Sequence, residues 1–83
     1  MNIYVGNLDY QVNENDLKGI FEEYGSVADA KVITDKFSGK SKGFGFVTME
    51  DQTEAEKAIN ELNEATLENR KMVVNEARPK KRF

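Results

Sequence analysis

At 83 residues the chain can hold one small domain with a modest core, and no apolar run in it is long enough to span a bilayer. It contains no cysteine and no histidine, which excludes a disulfide framework and a thiolate metal site and removes the commonest general base and metal ligand. The net charge of −3 does not fit a uniformly basic nucleic-acid binder, so the placement of charge matters more than its sum.

Met1 leads almost directly into a predicted strand over residues 2–6, so no signal peptide is expected. A soluble, reducing, cytoplasmic setting fits. On that strand Ile3 and Val5 share one face and Tyr4 takes the other. Asn13-x-x-Asp16 resembles a capping box with aspartate in place of glutamate. Leu17, Ile20, Phe21 and Tyr24 follow at helical spacing, and Gly25 is expected to end the helix in a left-handed conformation. Residues 27–33 read as a second strand, with Ala30 and Val32 inward and Lys31 and Ile33 on the opposite face. The polar stretch Asp35–Ser41, with Gly39 at its tip, suits a hairpin loop.

Residues 43–49 form the third predicted strand. Asp51-x-x-Glu54 reads as a second capping box, opening a helix whose buried stripe is Ala55, Ala58, Ile59 and Leu62. Residues 71–76 give the last strand, with Met72 and Val74 inward and Val73 and Asn75 outward. This order predicts an α+β, ferredoxin-like βαββαβ sandwich: a four-stranded antiparallel sheet with two helices on one face. The other face stays open.

Which residues occupy that open face decides the function. Phe44 and Phe46 alternate along the third strand, so they stand side by side on one surface, separated by Gly45 and led by Lys42. Register moves every side chain of a strand together. If Tyr4, Phe44 and Phe46 were core, then Ile3, Val5, Val47 and Met49 would face water. The aliphatic set suits a core beneath helices; the aromatic set beside a cation suits stacking of unpaired bases. Charge divides the same way. Residues 1–30 carry −5 and residues 50–69 carry −6, whereas residues 31–49 carry +3 and residues 70–83 carry +5. Acid collects on the helical segments, and base on the strands and the tail.

The stretch Lys42-Gly43-Phe44-Gly45-Phe46-Val47-Thr48-Met49 fits the longer signature of the RNA-recognition motif, a basic residue, Gly, an aromatic, Gly or Ala, Phe, Val, any residue and an aromatic, at all but the last position. Ile3-Tyr4-Val5-Gly6-Asn7-Leu8 fits the shorter signature throughout. With both motifs in order, the chain resembles an RNA-recognition motif over about its whole length. The resemblance implies that Tyr4 and Phe44 each stack on one base, that Phe46 packs between neighbouring sugars, and that Lys42 contacts phosphate. Lys31 and Asn75 project from the same face and reach base edges or phosphates, or are simply solvated. Arg78 follows the last strand where family members read bases. Asn7 closes the first strand and caps a turn, while Phe37 and Tyr10 are aromatics without an assigned role.

Three positions depart from the family's pattern. Met49 replaces the terminal aromatic on the core side, and Glu64 and Asn69 stand where glycine is usual before the last strand. The expected domain runs over residues 1–78, followed by a basic tail at 79–83. The partner is single-stranded RNA, with single-stranded DNA as competitor because stacking does not test for the 2′-hydroxyl. A monomer with no membrane association, acting in post-transcriptional regulation, is expected. The start and end of the sequence resemble small stand-alone bacterial members, and an excised domain of a larger eukaryotic protein is the alternative. A peptide-binding module on the same fold would carry Arg-x-Phe before the last strand, where Arg70-Lys71-Met72 lacks the phenylalanine. An acylphosphatase-like enzyme would need an arginine in residues 6–13, which hold none.

Overall fold

The computed structural model describes residues 1–67 and 70–77. Its elements run β1 (Asn2–Gly6), α1 (Glu14–Glu22), β2 (Val27–Thr34), β3 (Ser41–Met49), α2 (Gln52–Leu62), β4 (Thr66–Leu67), β5 (Arg70–Lys71) and β6 (Val73–Glu76). The main sheet has the order β2-β3-β1-β6, and each pairing in it is antiparallel. The ferredoxin-like βαββαβ sandwich read from the sequence is therefore the architecture of the chain, with β4 and β5 added.

The core forms where the aliphatic face of the sheet meets the two helices. Ile3 and Val5 of β1, Val47 and Met49 of β3 and Val74 of β6 join Leu17 and Phe21 of α1 and Ala55, Ala58 and Leu62 of α2 in one buried cluster. Ile20, Tyr24 and Ile59, expected on the buried stripes, are only partly covered and pack against that cluster. Leu8 and Val12, from the segment between β1 and α1, also lie inside it. Tyr4, Phe44 and Phe46 are not part of it.

Helix α1 begins with the capping box expected of it. The Asp16 amide donates to Asn13 Oδ1 at 2.8 Å, and the Asn13 amide donates to Asp16 Oδ2 at 3.2 Å. Its other end corrects the sequence reading. The helix stops at Glu22, with Glu23 as a right-handed cap, and Gly25 does not take a left-handed conformation. Gly25 lacks a side chain for another reason: a Cβ there would collide with the Glu54 side chain. Glu54 corrects the second capping box as well. The Asp51 side chain accepts from the Glu54 amide at 2.9 Å, but Glu54 Oε1 accepts instead from the Ser26 amide at 3.3 Å. The carboxylate thus ties the start of α2 to the turn before β2.

The segment before the last strand is the other departure. Residues 71–76 were expected as one strand, but Arg70 and Lys71 leave the main sheet and pair with Thr66 and Leu67 in a separate two-stranded ribbon. Two-residue strands are too short to leave a period-two signal. Glu64 adopts φ 69° there, so it occupies the left-handed turn position itself. Met72 and Val74 are buried and Val73 is exposed, as the alternation required.

Strand β3 starts at Ser41, two residues earlier than expected, and Gly43 at φ 86° lies within the register irregularity between its pairings with Val32 and Thr34. Both edges of the main sheet have an amide occupied by a side chain. Glu14 Oε2 accepts from Val32 on β2 at 3.2 Å, and Asn63 Oδ1 accepts from Val74 on β6 at 3.1 Å. Such contacts blunt an edge against further strand addition.

Candidate nucleic-acid interface

Strand register brings the face away from the helices together. Tyr4 on β1 pairs with Phe46 on β3, Phe46 pairs with Lys31 on β2, and Tyr4 pairs with Asn75 on β6. Directly opposed residues share a face, so Lys31, Phe46, Tyr4 and Asn75 form one row across the sheet. Phe44 lies two residues along β3 on the same side. The ring centroids of Tyr4 and Phe44 are 6.1 Å apart, those of Tyr4 and Phe46 5.8 Å, and those of Phe44 and Phe46 6.2 Å. The interplanar angles of 31°, 64° and 89° mean that no pair lies flat on the other.

Burial separates the three rings. Phe46 is 37% exposed, while Tyr4 and Phe44 are half-buried. Gly6 sets the position of Tyr4: a Cβ at residue 6 would stand 2.8 Å from two atoms of the Tyr4 ring. The space that Gly6 leaves is where the ring lies. Beyond the rings the face turns polar, with Thr48 Oγ1 donating to Asn2 Oδ1 at 3.0 Å.

Among the described residues the cations on this side form no ion pair with a carboxylate. Among the described residues the one ion pair is Lys18–Glu22, on α1. Lys31, Lys42 and Asn75 are exposed. Lys42 borders a shallow concavity that also touches Tyr4 and Phe44. Arg78 and the tail at 79–83 lie outside the described residues, as does Asn69.

Three side chains given minor roles or none by the sequence border the same concavity. Asn7 takes φ 56° at the end of β1, and its Nδ2 donates to the Lys71 carbonyl at 2.7 Å. Arg70 Nη1 donates to Asn7 Oδ1 at 3.0 Å, and the guanidinium carbon lies 5.9 Å from the centre of the Tyr10 ring. Tyr10 is 67% exposed. Nothing in the sequence relates Arg70 to residues more than fifty positions earlier; the β1–β6 pairing, which sets Gly6 opposite Val73, brings the two segments side by side. Gly43 serves this corner: its carbonyl accepts from the Leu8 amide at 2.8 Å.

At the tip of the β2–β3 hairpin, Phe37 is 97% exposed, and Asp35 orders the loop that carries it. The amides of Phe37 and Ser38 donate to Asp35 Oδ1 at 2.7 and 3.0 Å. The amides of Ser38 and Phe37 hold the Asp35 carboxyl below its ordinary pKa. Among the described residues no group of three His, Cys, Asp or Glu side chains is placed to hold a metal ion. No helix among them is long and apolar enough to cross a membrane.

The sequence profile described as the RNA recognition motif matches residues 3–73. The chain belongs to the RNA recognition motif family. Its relatives in that family differ in size. A stretch of 75 residues is 51% identical to the chloroplastic 29 kDa ribonucleoprotein of Arabidopsis thaliana, covering 90% of this chain and 22% of the relative. Over 80 residues it is 46% identical to RbpE of Nostoc sp., which is named for RNA binding, covering 96% of this chain and 81% of the relative. The chain therefore spans about a fifth of the plant protein and most of RbpE. The crystal structure of the RNA binding protein PG1 superposes with a TM-score of 0.91 at 54% identity, covering 96% of this chain and 99% of PG1.

Proposed function

We propose that this RNA recognition motif binds single-stranded RNA across the open face of its sheet and performs no chemistry on it. The observation that carries this reading is the grouping of Tyr4, Phe44 and Phe46 outside the core, within about 6 Å of one another, beside cations without acidic partners among the described residues. Bases splayed over the sheet stack on Tyr4 and Phe44, and Phe46 packs against sugars. Lys42 meets phosphate, Lys31 and Asn75 flank the row, and Arg78 follows it. The domain extends over residues 1–78, and the basic tail at 79–83 adds attraction to phosphate without reading sequence. A monomer in the cytoplasm of a bacterium, acting on RNA after its transcription, is the biological setting that suits a small RNA binder. The names of RbpE and PG1 support the binding of RNA.

Titration of randomised short RNA and DNA pools against the wild type and Phe44→Ala tests the proposal. Stacking of one base on an aromatic ring is worth about 1–3 kcal/mol, so the variant should lose at least about tenfold in affinity for RNA, taking about 1.4 kcal/mol per decade. Equal affinity of the folded variant and the wild type would remove the platform. Equal affinity of the wild type for the two pools would leave the platform and remove the preference for RNA.

A further inference from the structure

Next to the aromatic rings the fold assembles a second group from three separate parts of the chain. Arg70 arrives on β5, Asn7 from the end of β1, and Tyr10 from the segment that follows. Asn7 is anchored independently of Arg70, through its bond to the Lys71 carbonyl and its left-handed backbone. Arg70 is then held on Asn7 Oδ1 at one end and over the Tyr10 ring on one side. The position of Asn7 does not depend on the guanidinium, but the position of the guanidinium depends on Asn7.

An exposed arginine ordinarily swings freely or pairs with a carboxylate. Arg70 does neither: among the described residues no carboxylate lies within 4.0 Å of it. A guanidinium carries five N–H donors in a fixed fork, and Nη1 is the atom engaged with Asn7. Arg70 lines the concavity that Lys42 and Phe44 also border, and four of its donors are not the one bonded to Asn7. A planar fork matches the oxygens of a phosphate, which it can meet with two parallel N–H bonds. Lys42, on the same side, adds a second positive charge.

We propose that Arg70, positioned by Asn7 and Tyr10, is a phosphate subsite for the nucleotide adjacent to the one stacked on Phe44. The proposal rests on the reading of the sheet face as an RNA platform. It carries the bound strand beyond the rings, over Gly43 and toward the segment linking β1 to α1. Tyr10 and Asn7 act as positioning residues; Arg70 makes the contact.

The test is fluorescence anisotropy with a labelled random-sequence RNA pool, at several salt concentrations, on the wild type, Arg70→Gln, Arg70→Lys and Phe44→Ala. Each single-strand phosphate contact contributes about 0.7 to the slope of log K against log salt, so Arg70→Gln should be shallower by about 0.7 and about fivefold weaker near about 0.1 M salt. Arg70→Lys keeps the charge and should keep the slope. Phe44→Ala should bind more weakly at an unchanged slope, because stacking releases no counterions. A wild-type slope in Arg70→Gln, with Phe44→Ala weakened, overturns the subsite and leaves the platform standing. A lost slope in Arg70→Lys also overturns it, since a purely architectural arginine would behave that way. If neither Phe44→Ala nor Arg70→Gln changes binding, the platform and the subsite fall together.

Discussion

Gly45 is the position where the fold of the platform can be tested by one methyl group. It lies in β3 opposite Val5 of β1 and Val32 of β2, between the two phenylalanines that the sequence sets on the open face. A Cβ there would run into the Lys31 carbonyl oxygen and stand 3.1 Å from Val32 Cα. Both are backbone atoms of a paired strand, so neither can rotate away. Gly45→Ala must therefore push β2 and β3 apart, at the pairing that also aligns Lys31 with Phe46. Overpacking of this kind costs about 1–3 kcal/mol. Removing a glycine from a strand interior returns up to about 1 kcal/mol. Midway through those two ranges the net loss is about 1 kcal/mol, and at about 4–8 °C per kcal/mol for a domain this size Tm should fall by roughly 4–8 °C. Thermal unfolding followed by circular dichroism measures it. Gly6→Ala is the matched control, because there the nearest atoms to the new methyl belong to the Tyr4 side chain, which can swing aside. It should leave Tm nearly unchanged while weakening RNA binding. A Gly45→Ala protein as stable as the wild type would show that β2 and β3 are not packed as tightly around residue 45 as these distances require.

Two further changes follow from backbone and charge. Glu64 holds φ 69°, a conformation costing a non-glycine residue about 1–2 kcal/mol; Glu64→Gly should raise Tm, and a lowered Tm would mean that the Glu64 side chain stabilises the turn by more than its backbone strain costs. The Asp35 carboxyl titrates below its ordinary value because it accepts from the Ser38 and Phe37 amides. With the folded pKa depressed, the loop's order is fully present above the ordinary aspartate value of about 3.9 and is lost as pH falls through the lower one. The amide resonances of Phe37 and Ser38 should report that titration below about 3.9, and a midpoint at or above it would contradict the hydrogen bonding.

Much of this molecule is legible in its sequence. Alternation placed Ile3, Val5, Val47 and Met49 under the helices and Tyr4, Phe44 and Phe46 on the other side, because in a strand one choice of face fixes every residue. The Asn13–Asp16 cap and the buried stripes of both helices are equally local. They depend on residues three and four apart, and spacing reports them directly.

What the sequence could not decide was anything made by residues far apart in the chain. Gly25 reads as a helix stop from its neighbours, yet its small size is required by Glu54, nearly thirty residues later. Glu54 reads as the second half of a capping box, yet its carboxylate goes to Ser26. Arg70 reads only as the residue before the last strand, and the tertiary structure alone brings it to Asn7 and Tyr10. Periodicity specifies which way a side chain faces relative to its own backbone. Which partner it finds there is settled by how separate elements pack, and that information resides in the tertiary structure.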